Sequence, residues 1–208
     1  MNRTFARVCL LSSFLLVVAR APGFAQSLPA GWASADIGSV GAAGTASGTV
    51  DTMTVEGAGA DIWGSRDALQ FVYAPLTGDG SIVAQVATVE YVADWTKAGV
   101  MMRETLAAGS PQATMLVSAN KGLAFQRRRA LNGTSVSTAG GSGAAPYFVK
   151  LTRAGDTFTA FKSTNGTTWT AVGTDTIPMA STIYVGLAVT SHVDGTVATV
   201  SFTNVTAP

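Results

Sequence analysis

Apolar residues alternate with polar or small residues along most of this chain, in short runs separated by turn-forming residues. Alternation with a period of two predicts β-strands that bury one face. The turns include Gly78-Asp79-Gly80, Asn165-Gly166 and Asp194-Gly195, which are typical of strand reversals. The predicted strands are 49–56, 69–75, 81–90, 97–105, 112–119, 122–129, 147–153, 157–163, 168–173, 182–191 and 196–205.

The spacing of these runs predicts the fold class. They follow one another at roughly ten-residue intervals with no helical pattern between them, which is typical of an all-β sandwich or barrel. The chain shows no internal repeat of about 20–50 residues, so a propeller or solenoid is disfavoured. Two stretches rich in small residues, 38–48 and 139–145, are expected to be loops within one domain.

The N-terminus has the pattern of an export signal. Arg3 and Arg7 precede an apolar run over 8–19, and Gly23-Phe24-Ala25 is a small-x-small cleavage site. We therefore predict a signal peptide at 1–25 and a single domain at 26–208 that is secreted, either periplasmic or extracellular. No later apolar stretch reaches the length of a membrane span, so no membrane insertion is expected.

Composition restricts the chemistry and the partners. The only cysteine, Cys9, lies in the predicted leader, so the mature chain is expected to have no disulfide. Without the three leader arginines, the 13 basic and 12 acidic residues become 10 and 12, a formal charge of −2. Arg127, Arg128 and Arg129 would alternate between the two faces of a strand. Both observations argue against nucleic acid as a partner.

Catalytic patterns are weak. His192 is the only histidine, and it follows a predicted strand as a turn residue would. Glycoside hydrolysis needs two carboxylates about 5–9.5 Å apart. Glu90 and Asp94 would be separated by about 13 Å on a continuous strand. The sequence therefore favours a protein that is not an enzyme, although a hydrolase that uses Glu90, Asp94 or Glu104 stays open.

Metal ligation also lacks a dense cluster. Zinc would require cysteines or several histidines, and the mature chain lacks both. A structural calcium ion could use Asp61, Asp67 or Asp194, which otherwise would cap turns. No other cofactor is expected.

Five segments carry a resemblance to a known superfamily. They are, in order, Gly59-Ala-Asp-Ile-Trp63-Gly, Lys97-Ala-Gly-Val-Met-Met-Arg103, Phe125-Gln-Arg127, residues 146–153 and residues 163–169. In this order they resemble exported bacterial domains of the concanavalin A-like lectin/glucanase superfamily, near domains of unknown function and beta-xylosidase C-terminal-like modules. The resemblance covers about 32–205 and departs from the pattern at Gln112 and Phe148. It implies a jelly-roll of two curved antiparallel sheets, whose concave face often holds sugar in this superfamily.

The segment 163–169 has a second resemblance. It is similar to the Ser-x-Asp-x-Gly-x-Thr-Trp box of sialidase-type propellers, with one residue missing and an asparagine in place of the aspartate. That box is structural in its own families. Asn165-Gly166 in its centre also predicts a tight hairpin.

Sugar binding fits the remaining polar and aromatic residues. Lys97, Gly99, Met101 and Arg103 share one strand face, and Ala98, Val100 and Met102 share the other. We predict a ligand-binding site with a polar floor and an aromatic rim, formed by Arg103, Gln112, Gln126, Arg128, Trp63 and Trp95. The function expected is non-catalytic binding of a polysaccharide or glycan by a monomer. The alternatives are an extracellular protein-adhesion or structural domain and, third, a glycoside hydrolase.

Overall fold

The computed structural model describes residues 27–207. Its first eight strands are β1 (Ala33–Ile37), β2 (Thr45–Gly48), β3 (Thr52–Gly59), β4 (Ile62–Trp63), β5 (Arg66–Asp67), β6 (Leu69–Thr77), β7 (Gly80–Val89) and β8 (Lys97–Arg103). The next eight are β9 (Gln112–Ser118), β10 (Leu123–Arg128), β11 (Val136–Gly141), β12 (Tyr147–Ala154), β13 (Thr157–Ser163), β14 (Thr170–Thr176), β15 (Thr182–Thr190) and β16 (Val193–Thr206). The predicted signal peptide, 1–25, lies outside the described residues.

Most strands form where alternation predicts them. Eleven of them (β3, β6–β10 and β12–β16) match predicted runs, and β13 begins and ends at the predicted residues. The two stretches predicted as loops are partly strands, because β2 lies in 38–48 and β11 overlaps 139–145. Both are edge strands composed of small residues, which pair through the backbone without an alternating apolar face.

The strands form a sandwich of two seven-stranded sheets. The first sheet has the order β1-β6-β15-β8-β9-β10-β11, and the second has the order β14-β13-β12-β7-β16-β3-β2. Neighbouring strands pair antiparallel throughout the described part of the chain. The predicted all-β, jelly-roll-like sandwich class is confirmed.

The main core lies between the sheets and follows the predicted alternation. Ala98, Val100 and Met102 of β8 point inward and are fully buried. They belong to the same apolar cluster as Val149 and Leu151 of β12 in the opposite sheet. Burial of a valine or methionine side chain stabilises the fold by roughly 1.5–3 kcal/mol. This gain determines that the face of β8 with Ala98, Val100 and Met102 points inward and the other face points outward.

A second, smaller core covers part of the outer face of the first sheet. Met101 of β8 and Phe71 of β6 point outward but are buried beneath Ile62 of β4. Leu106 packs against the same cluster from residues 104–111. We call the β4–β5 hairpin and residues 104–111 the roof. Under this cover, every residue of β8 and β9 is buried.

Within the described part of the chain there is no helix with the length and hydrophobicity needed to span a bilayer.

Candidate functional site

A cleft of about 290 Å³ opens on the outer face of the first sheet, beside the roof. Five separate segments of the chain supply its walls, so the fold assembles it from residues that are distant in sequence. The lining residues are Asp61, Trp63, Trp95, Lys97, Gln126, Ser137 and His192.

Lys97 forms the centre of the cleft floor. It is the first residue of β8, and its Nζ donates to Oδ1 of Asp61 at 2.5 Å, Oε1 of Gln126 at 3.0 Å and the carbonyl of Ile62 at 3.4 Å. Burial lowers the pKa of Lys97, while the Asp61 carboxylate acts in the opposite direction. An ammonium has three protons, so all the donors of Lys97 are committed within the protein.

Two indole rings stand next to this ammonium. The Lys97 Nζ lies 5.9 Å from the ring centroid of Trp63 and 5.3 Å from that of Trp95, within the range of cation–π attraction. The Trp63 side chain is 39% exposed, and Trp95 is half-buried. Both therefore present aromatic surface to the cleft.

The β4–β5 hairpin positions Trp63. Gly64 makes its turn with a φ of 57°, a conformation that glycine adopts without strain. Arg128 on β10 donates to the carbonyls of Trp63 and Gly64, each at 3.2 Å. Ser135 donates its hydroxyl to the Gly64 carbonyl at 2.9 Å. These bonds from Arg128 and Ser135 hold the backbone of the hairpin in place at Trp63 and Gly64.

A buried threonine positions Trp95. The hydroxyl of Thr96 donates to the carbonyl of Ser191 at 2.9 Å and accepts the backbone N–H of Ala93, also at 2.9 Å. Thr96 is fully buried. Thr96 therefore joins the 90–96 loop, which carries Trp95, to the turn that carries His192.

Asp94 fixes the outer part of the same loop. Its carboxylate accepts from Asn120 at 2.9 Å and from the Tyr91 hydroxyl at 3.0 Å, and it pairs with Lys121 at 2.9 Å. Hydrogen bonds from Lys121, Asn120 and Tyr91 lower the pKa of Asp94 to about 2. Asp94 thus stabilises the loop rather than lining the cleft.

His192 closes one side of the cleft. It lies between β15 and β16 with a φ of 64°, a left-handed conformation that turns the chain sharply. Its Nε2 lies 3.3 Å from Oδ2 of Asp61. The turn position agrees with the sequence prediction, but the contact with Asp61 could not be predicted because 131 residues separate the two.

Three of the six predicted site residues meet in the cleft. Trp63 and Trp95 form its aromatic walls, and Gln126 lies on its floor. The Gln126 carbonyl is occupied by Lys97, whereas its amide nitrogen has no acceptor among residues 27–207. That amide is a free donor for a ligand.

The other three predicted residues lie beneath the roof. Arg103, Gln112 and Arg128 point to the same outer face as Gln126, but each is 0% exposed. Gln112 accepts from Thr114 at 2.6 Å, and its amide nitrogen has no partner in the described residues. The predicted polar floor therefore does not extend to these three side chains, since the roof separates them from solvent.

Asp67 is the centre of the ion network under the roof. Its oxygens accept from Arg128 at 2.6 and 2.9 Å, and Arg103 lies 3.6 Å away. Burial raises the pKa of Asp67 and lowers the pKa of Arg103 to about 10, which reflects the cost of placing ions inside the protein. Arg103 also donates to the carbonyls of Thr105 and Ala107. The network thus fastens the roof to β8 and β10.

The carboxylates considered for hydrolysis lie elsewhere. Glu90 accepts the backbone N–H of Thr199 at 2.8 Å, and Glu104 accepts that of Ala180 at 2.9 Å. Among the described residues, Asp61 is the one carboxylate that lines the cleft.

The aspartates considered for calcium have three different surroundings. Residues 27–207 contain no group of three or more His, Cys, Asp or Glu side chains placed to hold a metal ion. Asp67 is bonded to guanidinium groups, Asp61 is bonded to the Lys97 ammonium, and Asp194 is an exposed residue at the start of β16.

The arginine run splits between the two faces of β10, as alternation predicts. Arg127 and Arg129 both bond Asp175, at 2.7 Å each, whereas Arg128 points to the opposite side and bonds Asp67. The three charges do not form one basic patch.

The cleft offers both donors and acceptors beside flat apolar surface. The Gln126 amide and the Ser137 hydroxyl can donate, and the remaining lone pairs of Asp61 can accept. With two indole rings on its walls, it is suited to a small molecule that carries several hydroxyl groups and also presents an apolar face.

No protein-family model and no curated protein matches the sequence significantly. Solved structures share its architecture, however. A functionally unknown protein from Saccharomyces cerevisiae has a TM-score of 0.63 at 19% identity, covering 79% of this chain and 92% of that one. The carbohydrate-binding module CBM66 from Bacillus subtilis has a TM-score of 0.56 at 19% identity, covering 85% and 94%.

A further similar structure is a xylan beta-1,4-xylosidase from Bacillus halodurans C-125, with a TM-score of 0.52 at 15% identity. The match covers 72% of this chain and 32% of the xylosidase, so the chain corresponds to about a third of that protein. At these identities the likeness concerns the fold. The chain has the β-sandwich architecture that these proteins share.

Proposed function

We propose that this chain is a non-catalytic carbohydrate-binding domain that holds a sugar against Trp63 and Trp95. The observation that carries the proposal is the pair of indole rings beside a polar floor in one cleft. Aromatic rings offer flat apolar surfaces to the C–H faces of a pyranose, and the floor bonds its hydroxyls. The cleft volume of about 290 Å³ is at the lower end of ligand sites, which suits a chain end or a short oligosaccharide.

The hydrogen-bonding groups favour a neutral sugar. Lys97 has committed its three protons to Asp61, Gln126 and the Ile62 carbonyl, so it has none left for a ligand carboxylate. Asp61 would repel an acidic group and accept from a hydroxyl. The Gln126 amide would donate to a neighbouring hydroxyl oxygen. Two adjacent hydroxyls satisfy both groups at once.

The arrangement of the carboxylates favours binding over hydrolysis. Glycoside hydrolases use two carboxylates on opposite sides of the scissile bond, about 5–9.5 Å apart. Asp61 lines the cleft, whereas its neighbour Asp67 is fully buried and bonded to Arg128. A buried, paired carboxylate cannot reach a bound glycosidic oxygen.

Two further observations support a role in recognising extracellular polysaccharide. The fold is shared with a carbohydrate-binding module. The sequence also predicts an export signal at 1–25. Mass spectrometry of the protein recovered from its native host tests the export step. We expect the mature chain to begin at Gln26, and an intact N-terminus in the cytoplasm would contradict it.

Affinity electrophoresis tests binding directly. The mature chain is run through gels that contain soluble xylan, arabinan, galactan, mannan or hydroxyethyl cellulose, and we expect at least one to retard it. Trp63→Ala and Trp95→Ala should each weaken that binding roughly ten- to a hundred-fold, because losing a stacked aromatic costs about 1–3 kcal/mol where bases stack on side chains.

The control is Leu131→Ala, which removes an apolar side chain that is 63% exposed and lies outside the cleft. It should leave retardation unchanged. Wild-type migration that no neutral polysaccharide alters would overturn the proposal and favour protein adhesion. Equal retardation of the wild type and both tryptophan variants would show that the sugar binds to another surface.

A further inference from the structure

The sialidase-like segment 163–169 builds a fixed hairpin on the opposite side of the sandwich. The Ser163 hydroxyl accepts the N–H groups of Asn165 and Gly166, at 3.2 and 3.0 Å. The side-chain Oδ1 of Asn165 accepts the N–H groups of Thr167 and Thr168, at 3.0 and 2.9 Å. These bonds hold the hairpin in one conformation, with Trp169 at its end.

The hairpin places Trp169 over a lysine on the outer face of the second sheet. The Nζ of Lys150 on β12 lies 4.2 Å from the ring centroid of Trp169 and 4.5 Å from that of Phe161 on β13. Phe148 lies two residues before Lys150, and the hairpin packs against its ring at Gly166. We call Phe148, Lys150, Phe161 and Trp169 the aromatic–lysine platform.

Among residues 27–207, the ammonium of Lys150 has no counter-charge. It makes no ion pair and donates to no acceptor within residues 27–207, although its side chain is half-buried. The sheet register places Val83 and Phe161 on either side of Lys150 and places Gln85 opposite Phe148, all of them uncharged. Burial also lowers the pKa of Lys150. The two rings therefore hold a partly dehydrated cation whose protons point to no protein oxygen.

We propose that the aromatic–lysine platform is a second binding site, one that takes an acidic polysaccharide through its uronate units. The uronate carboxylate would accept from Lys150 as a charge-assisted hydrogen bond, and the apolar face of the sugar ring would lie on the exposed surface of Trp169 and Phe148. The chemistry differs from that of the cleft, where an acid lines the floor and the lysine is fully bonded. The two sites lie on opposite sheets and act independently.

The charge of the chain makes this interaction local. The whole sequence carries a formal charge of +1, and it becomes −2 without the predicted leader arginines. A general attraction to polyanions is therefore not expected. Retention on an acidic polymer would have to come from a particular cation. Four cations make no ion pair within residues 27–207, namely Arg66, Lys150, Arg153 and Lys162. In that range, Arg153 and Lys162 donate to backbone carbonyls and Arg66 lies over no aromatic ring, whereas Lys150 is free of acceptors and lies over two rings.

The test is affinity electrophoresis of the full mature chain in polygalacturonate, with highly methyl-esterified polygalacturonate as the matched neutral polymer. We expect retardation by the acid form only. Lys150→Gln should weaken it roughly tenfold through the loss of about one charge-assisted bond, and Trp169→Ala should weaken it to a similar extent through the loss of a stacking surface. Lys121→Gln makes the same change of charge at an exposed lysine that already pairs with Asp94. Relative to its own mobility in a polymer-free gel, it should be retarded as strongly as the wild type.

Each other outcome overturns the proposal. Unaltered migration of the wild type in polygalacturonate refutes the site, and so does equal retardation of Lys150→Gln and wild type. Equal retardation by the methyl ester removes the role of the carboxylate. Equal, Lys150-dependent retardation by poly-L-glutamate would assign the platform to acidic polypeptides. If Trp169→Ala does not fold, Trp169→Phe replaces it in the test, because it retains an aromatic ring. Lys150→Gln leaves all the aromatic side chains in place and still tests the role of the cation.

Discussion

Replacing Arg128 with methionine removes the side chain that ties the roof to the first sheet. Its guanidinium bonds both oxygens of Asp67, at 2.6 and 2.9 Å, and both side chains are fully buried. It also donates to the carbonyls of Trp63, Gly64, Ala108 and Ser110. Methionine has a similar length and no donor, so the carboxylate and these carbonyls lose a partner without leaving a large cavity.

The buried carboxylate sets the size of the effect. Removing one partner of a buried ion pair costs about 3–5 kcal/mol. Arg103 stays 3.6 Å from Asp67, so we expect a loss near the lower end, about 3 kcal/mol. In a domain of this size 1 kcal/mol changes Tm by about 2–4 °C, which gives a decrease of roughly 6–12 °C.

Urea unfolding monitored by tryptophan fluorescence measures this loss. The matched control is Arg127→Met, which removes a guanidinium that bonds Asp175 at 2.7 Å on the other face of β10. We expect a smaller loss there, because Arg129 still bonds Asp175. Asp67→Asn added to Arg128→Met should lower stability further, since it leaves the buried Arg103 guanidinium without a carboxylate.

The affinity of the cleft is a second readout of the same variant. Because Arg128 holds the carbonyl of Trp63, we expect Arg128→Met to weaken sugar binding, whereas Arg127→Met should not. A decrease in the free energy of unfolding below about 1 kcal/mol, the size of an ordinary substitution, would refute the network as the fastening of the roof.

Three further changes test other parts of the structure. Lys97→Met removes the cation that orients Asp61 and Gln126 in the cleft, and should weaken sugar binding roughly tenfold in affinity electrophoresis. Unchanged affinity would show that these side chains do not bind the sugar. Asp94 has a pKa of about 2 against the usual 3.8, so the stability it gives to the Trp95 loop is present above 3.8 and lost as pH decreases from 3.8 to 2. Wild-type sugar binding should decline more steeply across that interval than binding by Asp94→Asn, and identical pH profiles would contradict this. Burial alone would raise the pKa of Asp175, but hydrogen bonds from Arg127 and Arg129 lower it overall. Asp175→Asn should therefore lower Tm at neutral pH and leave Tm unchanged at a pH low enough to protonate Asp175 in the wild type. An equal decrease of Tm at both pH values would contradict the ion pairs.

The strands could be predicted because their signal is local. Ala98, Val100 and Met102 face the main core in the structure, as alternation with a period of two requires. The β4–β5 hairpin was not predicted, since each of its strands has two residues and no alternating pattern. It stays folded because Ile62 is buried on the sheet and Asp67 is bonded to Arg128.

The candidate site could be predicted only in part, because only part of it depends on local sequence pattern. Trp63, Trp95 and Gln126 could be chosen from residue type and strand face alone. Whether a polar face is open or roofed depends on contacts between distant segments, such as the pair formed by Arg128 and Asp67, 61 residues apart. Alternation places Arg128 and Gln126 on one face but carries no information about what covers it.

The central claim, that sugar binds between Trp63 and Trp95, is tested most directly by NMR of the indole N–H groups. The chain has four tryptophans, and single Trp→Phe variants assign their four indole signals. The neutral oligosaccharide that corresponds to the retained polysaccharide is then titrated into the mature protein. We predict that the signals of Trp63 and Trp95 shift with saturation while that of Trp169 does not. Shifts confined to Trp169, or no shift in any indole, would contradict the account.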